Sequence, residues 1–262
     1  MKIAVLQTRS ADLDALHEAA GTAADRGARL LITPEMFTTG YNVPDVPEKA
    51  QPADGPWFDR VAEIARSTGV AILYGFPERD EDEVFNAAQL VDRDGTVLAK
   101  HRKAHLFGDL DTRTFTPGGG DLAVADLDGA RVGILICYDV EFPEAVRSLA
   151  LAGADLVAVP TALMRPYEVV ARTVVPARAY ENQVYLAYAN RSGHEAELAY
   201  CGESCVVGPD GADLARAGSG DELLLAEIDA TRLASSRAVN THLRDRRPGL
   251  YGALTETQES SR

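Results

Sequence analysis

The stretch Val132-Gly133-Ile134-Leu135-Ile136-Cys137-Tyr138-Asp139-Val140-Glu141-Phe142-Pro143-Glu144 decides how the rest of the chain is read. Its first five residues form a continuous apolar run, the pattern of a strand buried on both faces, and Pro143 suits the first turn of a helix over 143–151. Cys137 therefore ends a strand at a strand-to-helix turn. In α/β sheets ligands gather at the carboxyl ends of strands, and a side chain on such a turn has backbone N–H groups beside it that can hold an oxyanion. The competing reading of Cys137 is a structural thiol that packs as a small apolar group.

The neighbouring sequence repeats this alternation. Residues 2–8, 30–32 and 70–76 read as strands, and the helical spacing of Leu13, Leu16, Ala20 and Ala24 predicts a helix over 13–28. A second stripe, Trp57, Phe58, Val61, Ile64 and Ala65, precedes the strand at 70–76. Residues 86–92 pair with the strand before them, and Asp94-Gly95 turns the chain into a strand at 96–100. Beyond the helix at 143–151 come a strand at 156–160, a helical segment at 167–182 broken or kinked by Pro176, and a strand at 184–190. Residues 205–207, the Pro209-Asp210-Gly211 turn and 223–228 read as a further β pair. From about Ser235 the chain is polar, which reads as a tail or an oligomer contact. There is no fixed-period repeat and no long linker, so residues 1–262 read as one domain, a two-sheet sandwich with helices outside.

Composition excludes whole classes of function. The chain has 262 residues, 46% of them hydrophobic, and its 26 Lys and Arg stand against 40 Asp and Glu for a formal charge of −14. That charge opposes docking on nucleic acid or an anionic membrane surface. The apolar opening is too short for a signal peptide core, and Asp155 and Pro160 interrupt the longest apolar stretch, 149–164, so the expected location is cytoplasmic. Three cysteines without CxxC spacing fit neither a disulfide framework nor a structural zinc site.

Two more segments carry chemistry-bearing residues. Leu30-Leu31-Ile32-Thr33-Pro34-Glu35 puts a carboxylate just past an apolar strand, where burial would turn it into a proton acceptor; a solvated loop glutamate is the alternative. Lys100-His101-Arg102-Lys103-Ala104-His105-Leu106-Phe107-Gly108 is a basic cluster in an acidic chain, and by itself reads as a charged loop.

Pro34-Glu35-Met36-Phe37, Lys103-Ala104-His105-Leu106-Phe107 and the segment 137–144 together resemble, in order and spacing, the signatures of the nitrilase superfamily of carbon–nitrogen hydrolases. Later segments, Arg178-Ala179-Tyr180-Glu181-Asn182, Asn190-Arg191-Ser192-Gly193 and 202–211, extend the resemblance over almost the whole chain. It implies a four-layer α-β-β-α sandwich and a triad of Glu35, Lys103 and Cys137, with the Tyr138 backbone N–H at the oxyanion. It also implies a homodimer packed through outer helices, and no metal or organic cofactor. The implied activity is that of a cysteine-dependent amidase releasing ammonia from a small carboxamide through a thioester, with water as co-substrate. Many relatives place a second glutamate after the lysine; here Asp111 is the nearest match and Asp109 its rival. Tyr41, Trp57, Met164 and Tyr138 are candidate pocket walls. A nitrilase, an N-carbamoyl hydrolase that uses Arg165, Arg172 and Arg191 as a carboxylate clamp, and an acyltransferase are rival activities. A catalytically silent binding subunit is the rival outside enzymes.

Overall fold

The computed structural model describes residues 1–254. The strands are β1 (Lys2–Gln7), β2 (Leu30–Ile32), β3 (Ala71–Asp80), β4 (Glu83–Val91), β5 (Val97–Arg102), β6 (Val124–Leu127), β7 (Ala130–Ile134), β8 (Leu156–Pro160), β9 (Tyr185–Ala189), β10 (His194–Glu195), β11 (Leu198–Ala199), β12 (Cys205–Val207), β13 (Asp213–Arg216) and β14 (Glu222–Glu227). The helices are α1 (Leu13–Asp25), α2 (Val46–Lys49), α3 (Pro56–Thr68), α4 (Gly108–Thr112), α5 (Pro143–Leu151), α6 (Val175–Asn182), α7 (Ala230–Val239) and α8 (His242–Asp245).

Two six-stranded sheets have the orders β14-β1-β2-β3-β4-β5 and β13-β12-β9-β8-β7-β6. In each, three central strands run parallel, β1–β2–β3 and β7–β8–β9, and the flanking strands are antiparallel. Strand alternation explains why the central strands are apolar throughout. Ile3, Val5, Leu30 and Ile32 meet Val132, Ile134, Leu156 and Ala158 between the sheets. Ala4, Leu31 and Ile72 face outward onto Leu16 and Ala20 of α1 and Val61 and Ile64 of α3. Val157, Val159 and Leu186 face outward onto Val146 and Leu149 of α5 and Val175 and Ala179 of α6. The four layers α-β-β-α follow, as the resemblance implied.

Three local expectations change. Residues 223–228 were read as the partner of 205–207, but β12 pairs with β13 across the Pro209-Asp210-Gly211 turn, while β14 crosses to the other sheet beside β1. At that edge β14 is covered on both faces: Leu224 and Ala226 point into the inter-sheet core and Leu223 and Leu225 onto the helical layer. The helical segment at 167–182 contains a wide π-type turn at Val170–Val174 before α6, and Pro176 lies in the first turn of α6, where its missing N–H costs little. The expected polar tail from Ser235 begins inside α7. Only Leu233 of that helix is buried, so no apolar stripe announced it. Polar contacts dock it instead: Arg237 Nη2 donates to the Ala154 carbonyl at 3.0 Å and Ser236 Oγ to Gln183 Oε1 at 2.6 Å. Residues 255–262 of that segment lie outside the described residues. Among the described residues, no helix is long and apolar enough to cross a membrane.

Candidate active site

The parallel strands end on one side of the sandwich, and the chemistry-bearing loops leave from those ends. Glu35 follows β2, Lys103 follows β5 and Cys137 follows β7 by way of Leu135 and Ile136. β5 runs in the direction of β3 because each is antiparallel to β4, so Lys103 emerges on the same side as Glu35. The Glu35 N–H donates to the Thr161 carbonyl at 3.2 Å, just beyond β8, which ties the loop of one sheet to the strand end of the other.

Two glycines allow this crossing. A Cβ at Gly75 of β3 would stand 2.7 Å from the Met36 nitrogen and 2.8 Å from the Pro34 carbonyl oxygen, so only glycine lets the Glu35 backbone lie against the strand. At Gly118, after Pro117, a Cβ would stand 2.3 Å from the Arg102 carbonyl oxygen, and the Gly118 N–H donates to the Lys103 carbonyl at 2.8 Å. Met36 and Cys137 take positive φ angles of 51° and 46°, a conformation that non-glycine residues rarely adopt and that clusters at functional sites.

At the centre, Lys103 Nζ donates to Glu35 Oε1 at 2.8 Å and to Asp111 Oδ2 at 2.6 Å, all three side chains being fully buried. Asn86 Nδ2 of β4 donates to Glu35 Oε1 at 2.7 Å. Asp111 also accepts from the Phe107 N–H at 2.8 Å and, through Oδ1, from the Tyr41 hydroxyl at 2.8 Å. Asp109 is exposed and paired with Arg113, so it is Asp111 that joins the lysine. Glu35 Oε2 is buried and has no hydrogen-bond partner among the described residues.

The electrostatics follow from burial. Desolvation pushes the Glu35 carboxyl above its ordinary value, opposed by the Lys103 charge. Desolvation works to discharge Lys103, but the Glu35 and Asp111 carboxylates hold its proton well above the usual lysine range. Burial and then the Glu35 charge drive the Cys137 thiol well above its ordinary value, with Lys103 and the Ala162 backbone pulling the other way. The resting thiol is therefore protonated, and a raised carboxyl with a free buried oxygen lies in its field. Cys137 opens the tight turn Cys137–Glu141, and Tyr138 is its second residue, where backbone N–H groups have no partner within the turn.

Residues outside the triad hold these loops together. Asp139, buried in the cysteine turn, accepts from His101 Nε2 at 2.9 Å, from the His105 ring at 2.8 Å and from the His105 N–H at 2.9 Å. Burial alone would raise the Asp139 carboxyl, but these donors hold it far below the usual aspartate value. His105 also stacks on Phe142 at 3.8 Å. The turn bearing Cys137 is thus fastened to the loop bearing Lys103. Arg191, nearly fully buried, reaches the Glu35 carbonyl at 3.4 Å and Glu195 at 3.6 Å. His101, His105, Asp139 and Arg191 all stand in segments singled out in the sequence, but their partners follow only from the fold.

Other candidates separate. Tyr41 and Met164 share an apolar cluster with Met36, Phe115 and Ala162 beside the site, and Tyr138 meets Phe107 edge-on at 5.4 Å. Trp57 packs instead in the helical layer outside the first sheet. The three arginines of the rival carboxylate clamp, Arg165, Arg172 and Arg191, each pair with a carboxylate of this chain: Glu168, Glu203 and Glu195. Cys201 and Cys205 are buried in the outer core of the second sheet, and burial pushes their thiols up to about 11 and about 12. Among the described residues, no group of three or more His, Cys, Asp or Glu could hold a metal ion.

The family model for carbon-nitrogen hydrolase matches residues 2–238. The chain is 48% identical to a Pseudomonas protegens protein described as "Hydrolase in pqqF 5'region", over 98% of this chain and 92% of that protein. It is 34% identical to the omega-amidase NIT2 of Xenopus tropicalis, over 87% of each. Among solved structures, a double mutant of the amidase from Nesterenkonia sp. AN1 in complex with acrylamide superposes with a TM-score of 0.87 at 35% identity, covering 97% of both chains. A mutant of the same amidase in complex with butyramide superposes with a TM-score of 0.86 at 36% identity, covering 95% of both. The chain belongs to the carbon–nitrogen hydrolase family, the nitrilase superfamily, and is a hydrolase of C–N bonds of the amidase type.

Proposed function

We propose that this chain hydrolyses small primary carboxamides to the carboxylic acid and ammonia through a thioester on Cys137. The observation that supports this most directly is the free, buried Oε2 of Glu35, on a carboxylate whose other oxygen is held by Lys103 and Asn86. Such an oxygen is a preorganised acceptor for the thiol proton.

In the first half-reaction Glu35 takes the Cys137 proton as sulfur bonds to the amide carbon. The carbonyl oxygen becomes an oxyanion, stabilised by the Tyr138 N–H and by Lys103. An ammonium has three N–H donors, and Lys103 uses two on Glu35 and Asp111, which leaves one for the oxyanion. Glu35 then returns the proton to the amide nitrogen, the C–N bond breaks and ammonia leaves. In the second half-reaction Glu35 takes a proton from water, hydroxide adds to the thioester, and the C–S bond breaks as sulfur regains its proton. Each residue type matches its task. The elevated thiol needs a base, the elevated carboxyl supplies one, and a fixed cation faces the developing charge.

The acrylamide and butyramide complexes of the Nesterenkonia amidase support a small amide as substrate. The pairing of Arg165, Arg172 and Arg191 with carboxylates of this chain weighs against an N-carbamoyl amino acid held by those three residues. Incubation with the amide, nitrile and N-carbamoyl derivatives of one short acid tests the reading. Ammonia from the amide at a rate well above the other two is expected; faster release from the carbamoyl compound, with carbon dioxide, would reassign the substrate.

Self-association through the outer helices belongs to the same reading. A cavity of 650 Å³ lies open on that face, lined in part by Arg147 of α5, Tyr180 of α6, His242 of α8 and Tyr251, and Leu250 and Leu254 stand exposed nearby. A second copy of this face is the occupant that the family resemblance implies.

A further inference from the structure

The loop that carries Glu35 is held from the other half of the chain by a carboxylate outside the triad. Glu195 stands on the short hairpin of β10 and β11, which follows β9 of the second sheet, and its side chain is 18% exposed. Its Oε2 accepts from the Tyr41 N–H at 2.9 Å, from the Asn42 N–H at 2.5 Å and from the Tyr200 hydroxyl at 2.6 Å. A Cβ at Gly40 would collide with Glu195 Oε1, so the loop backbone lies against the carboxylate only because position 40 is glycine. The hairpin is itself fastened beyond β8: Met164 bridges to Tyr200, and the Arg165 N–H donates to the Ala199 carbonyl at 2.9 Å.

Two routes lead from Glu195 to the reacting groups. Its Oε1 lies 3.6 Å from Arg191 Nη2, and Arg191 Nη1 donates to the Glu35 carbonyl at 3.4 Å. Arg191 is buried, and among the described residues Glu195 is the one carboxylate within ion-pair distance of it. A buried guanidinium without its anion is costly, so the pair fixes Arg191 where it meets the Glu35 main chain. The second route runs through Tyr41. Glu195 holds the Tyr41 N–H, the Tyr41 hydroxyl donates to Asp111 at 2.8 Å, and Asp111 accepts from Lys103 at 2.6 Å. One carboxylate thus ties the base and the lysine anchor to a common support without a hydrogen bond to either.

We propose that Glu195 is a positioning residue for amide hydrolysis, fixing Glu35 through Arg191 and Lys103 through Tyr41 and Asp111. The proposal rests on the amidase reading above and adds a residue to its machinery. Misplacing a reacting group by about 1 Å can cost about 10²-fold in rate, so the loss of Glu195 acts on kcat and not on folding alone.

Geometry and charge separate in the test. The titratable and charged groups facing Glu35 are Lys103, Asp111, Cys137, Tyr41 and Tyr200, with Arg191 at its carbonyl. Deleting the Glu195 anion leaves the Arg191 charge unbalanced beside Glu35, which favours the ionised carboxyl and moves the acid limb of kcat/KM to lower pH. Glutamine deletes the same charge but keeps an oxygen that accepts from the Tyr41 and Asn42 N–H groups.

Ammonia release from butyramide is measured for the wild type, Glu195→Ala, Glu195→Gln and Glu197→Ala, the last at an exposed position in the turn of the same hairpin, each at a temperature where circular dichroism shows it folded. Glu195→Ala is expected to lower kcat on the pH plateau about 10- to 100-fold, and Glu195→Gln to recover about threefold or more of that loss. Both are expected to carry the acid limb about half a pH unit below the wild type, and Glu197→Ala to match the wild type. A Glu195→Ala kcat within about twofold of the wild type overturns the proposal. So does a Glu195→Gln variant no faster than Glu195→Ala, an acid limb unmoved in both, or an equal loss in Glu197→Ala. Should Glu195→Ala not fold, the acid limb of Glu195→Gln still decides. If the wild type releases no ammonia from butyramide, propionamide or acetamide, the amidase reading fails and the proposal falls with it, a result distinct from butyramide turnover that Glu195 does not affect.

Discussion

Asp111 Oδ2 lies 2.6 Å from Lys103 Nζ, with both side chains fully buried. One turn of helix, α4, and the Phe107 N–H bring the carboxylate back onto the lysine eight positions earlier in the chain. Asp111 is one methylene shorter than glutamate, and the Tyr41 hydroxyl at 2.8 Å holds its second oxygen. Lys103 therefore keeps its charge at zero exposure, because its desolvation is offset by two charge-assisted hydrogen bonds.

Removing that anchor should be costly. Asp111→Ala is expected to lower stability by about 3 kcal/mol, the order seen when one partner of a buried ion pair is lost, and Tyr41→Phe by about 1 kcal/mol. Urea unfolding midpoints measure both. Equal stability of Asp111→Ala and wild type would show that the buried lysine does not need its second carboxylate.

Cys137→Ala is expected to abolish ammonia release, whereas Cys201→Ala, in the outer core, should leave it measurable. Mass spectrometry with a slow amide should find an acyl adduct on the peptide containing Cys137. Substantial turnover by Cys137→Ala would end the assignment.

Glu35→Gln keeps the shape and removes the base, and a fall in kcat/KM of about 10²- to 10⁴-fold is expected. Because burial raises the Glu35 carboxyl above 4.5, the ionised base is lost as pH falls through that raised value. The acid limb of wild-type kcat/KM should therefore lie above 4.5, and a limb at or below it would contradict the assignment.

Asp139 predicts a pH-dependent stability of known sign. Its folded-state carboxyl lies far below 3.8, so its contribution is complete above the unfolded aspartate value and is lost as pH falls toward the folded one. Asp139→Asn should lower stability by about 2 kcal/mol at neutral pH, with the gap to wild type closing in acid. A gap independent of pH would mean that packing, not the charge held by His101 and His105, accounts for the loss.

Light scattering at micromolar concentration is expected to give more than one chain mass. Deleting the residues after Arg247, which removes Tyr251 and Leu254 from the outer-helix cavity, should weaken association or activity. A single-chain mass for the full protein would contradict the dimer reading.

Local pattern determined much of this protein. The continuous apolar runs at 30–32, 132–136 and 156–160 announced strands covered on both faces, and Pro143 marked the helix after the cysteine turn, because side-chain period and proline geometry act within a few residues. Glu35, Lys103 and Cys137 were legible as types in motifs, and the structure brings Glu35 and Lys103 into direct contact. Tertiary structure alone decided the rest. Asp111 is buried and Asp109 exposed although both stand in one polar stretch, since only the position of Lys103 distinguishes them. β14 joins β1 rather than the nearer β12, because pairing follows which sheet edge is open, not distance along the chain. The clamp of His101, His105 and Asp139 and the pairing of Arg172 with Glu203 are charge relations between segments more than thirty residues apart. A side chain's partners depend on which loops share a strand end, and no local pattern encodes that.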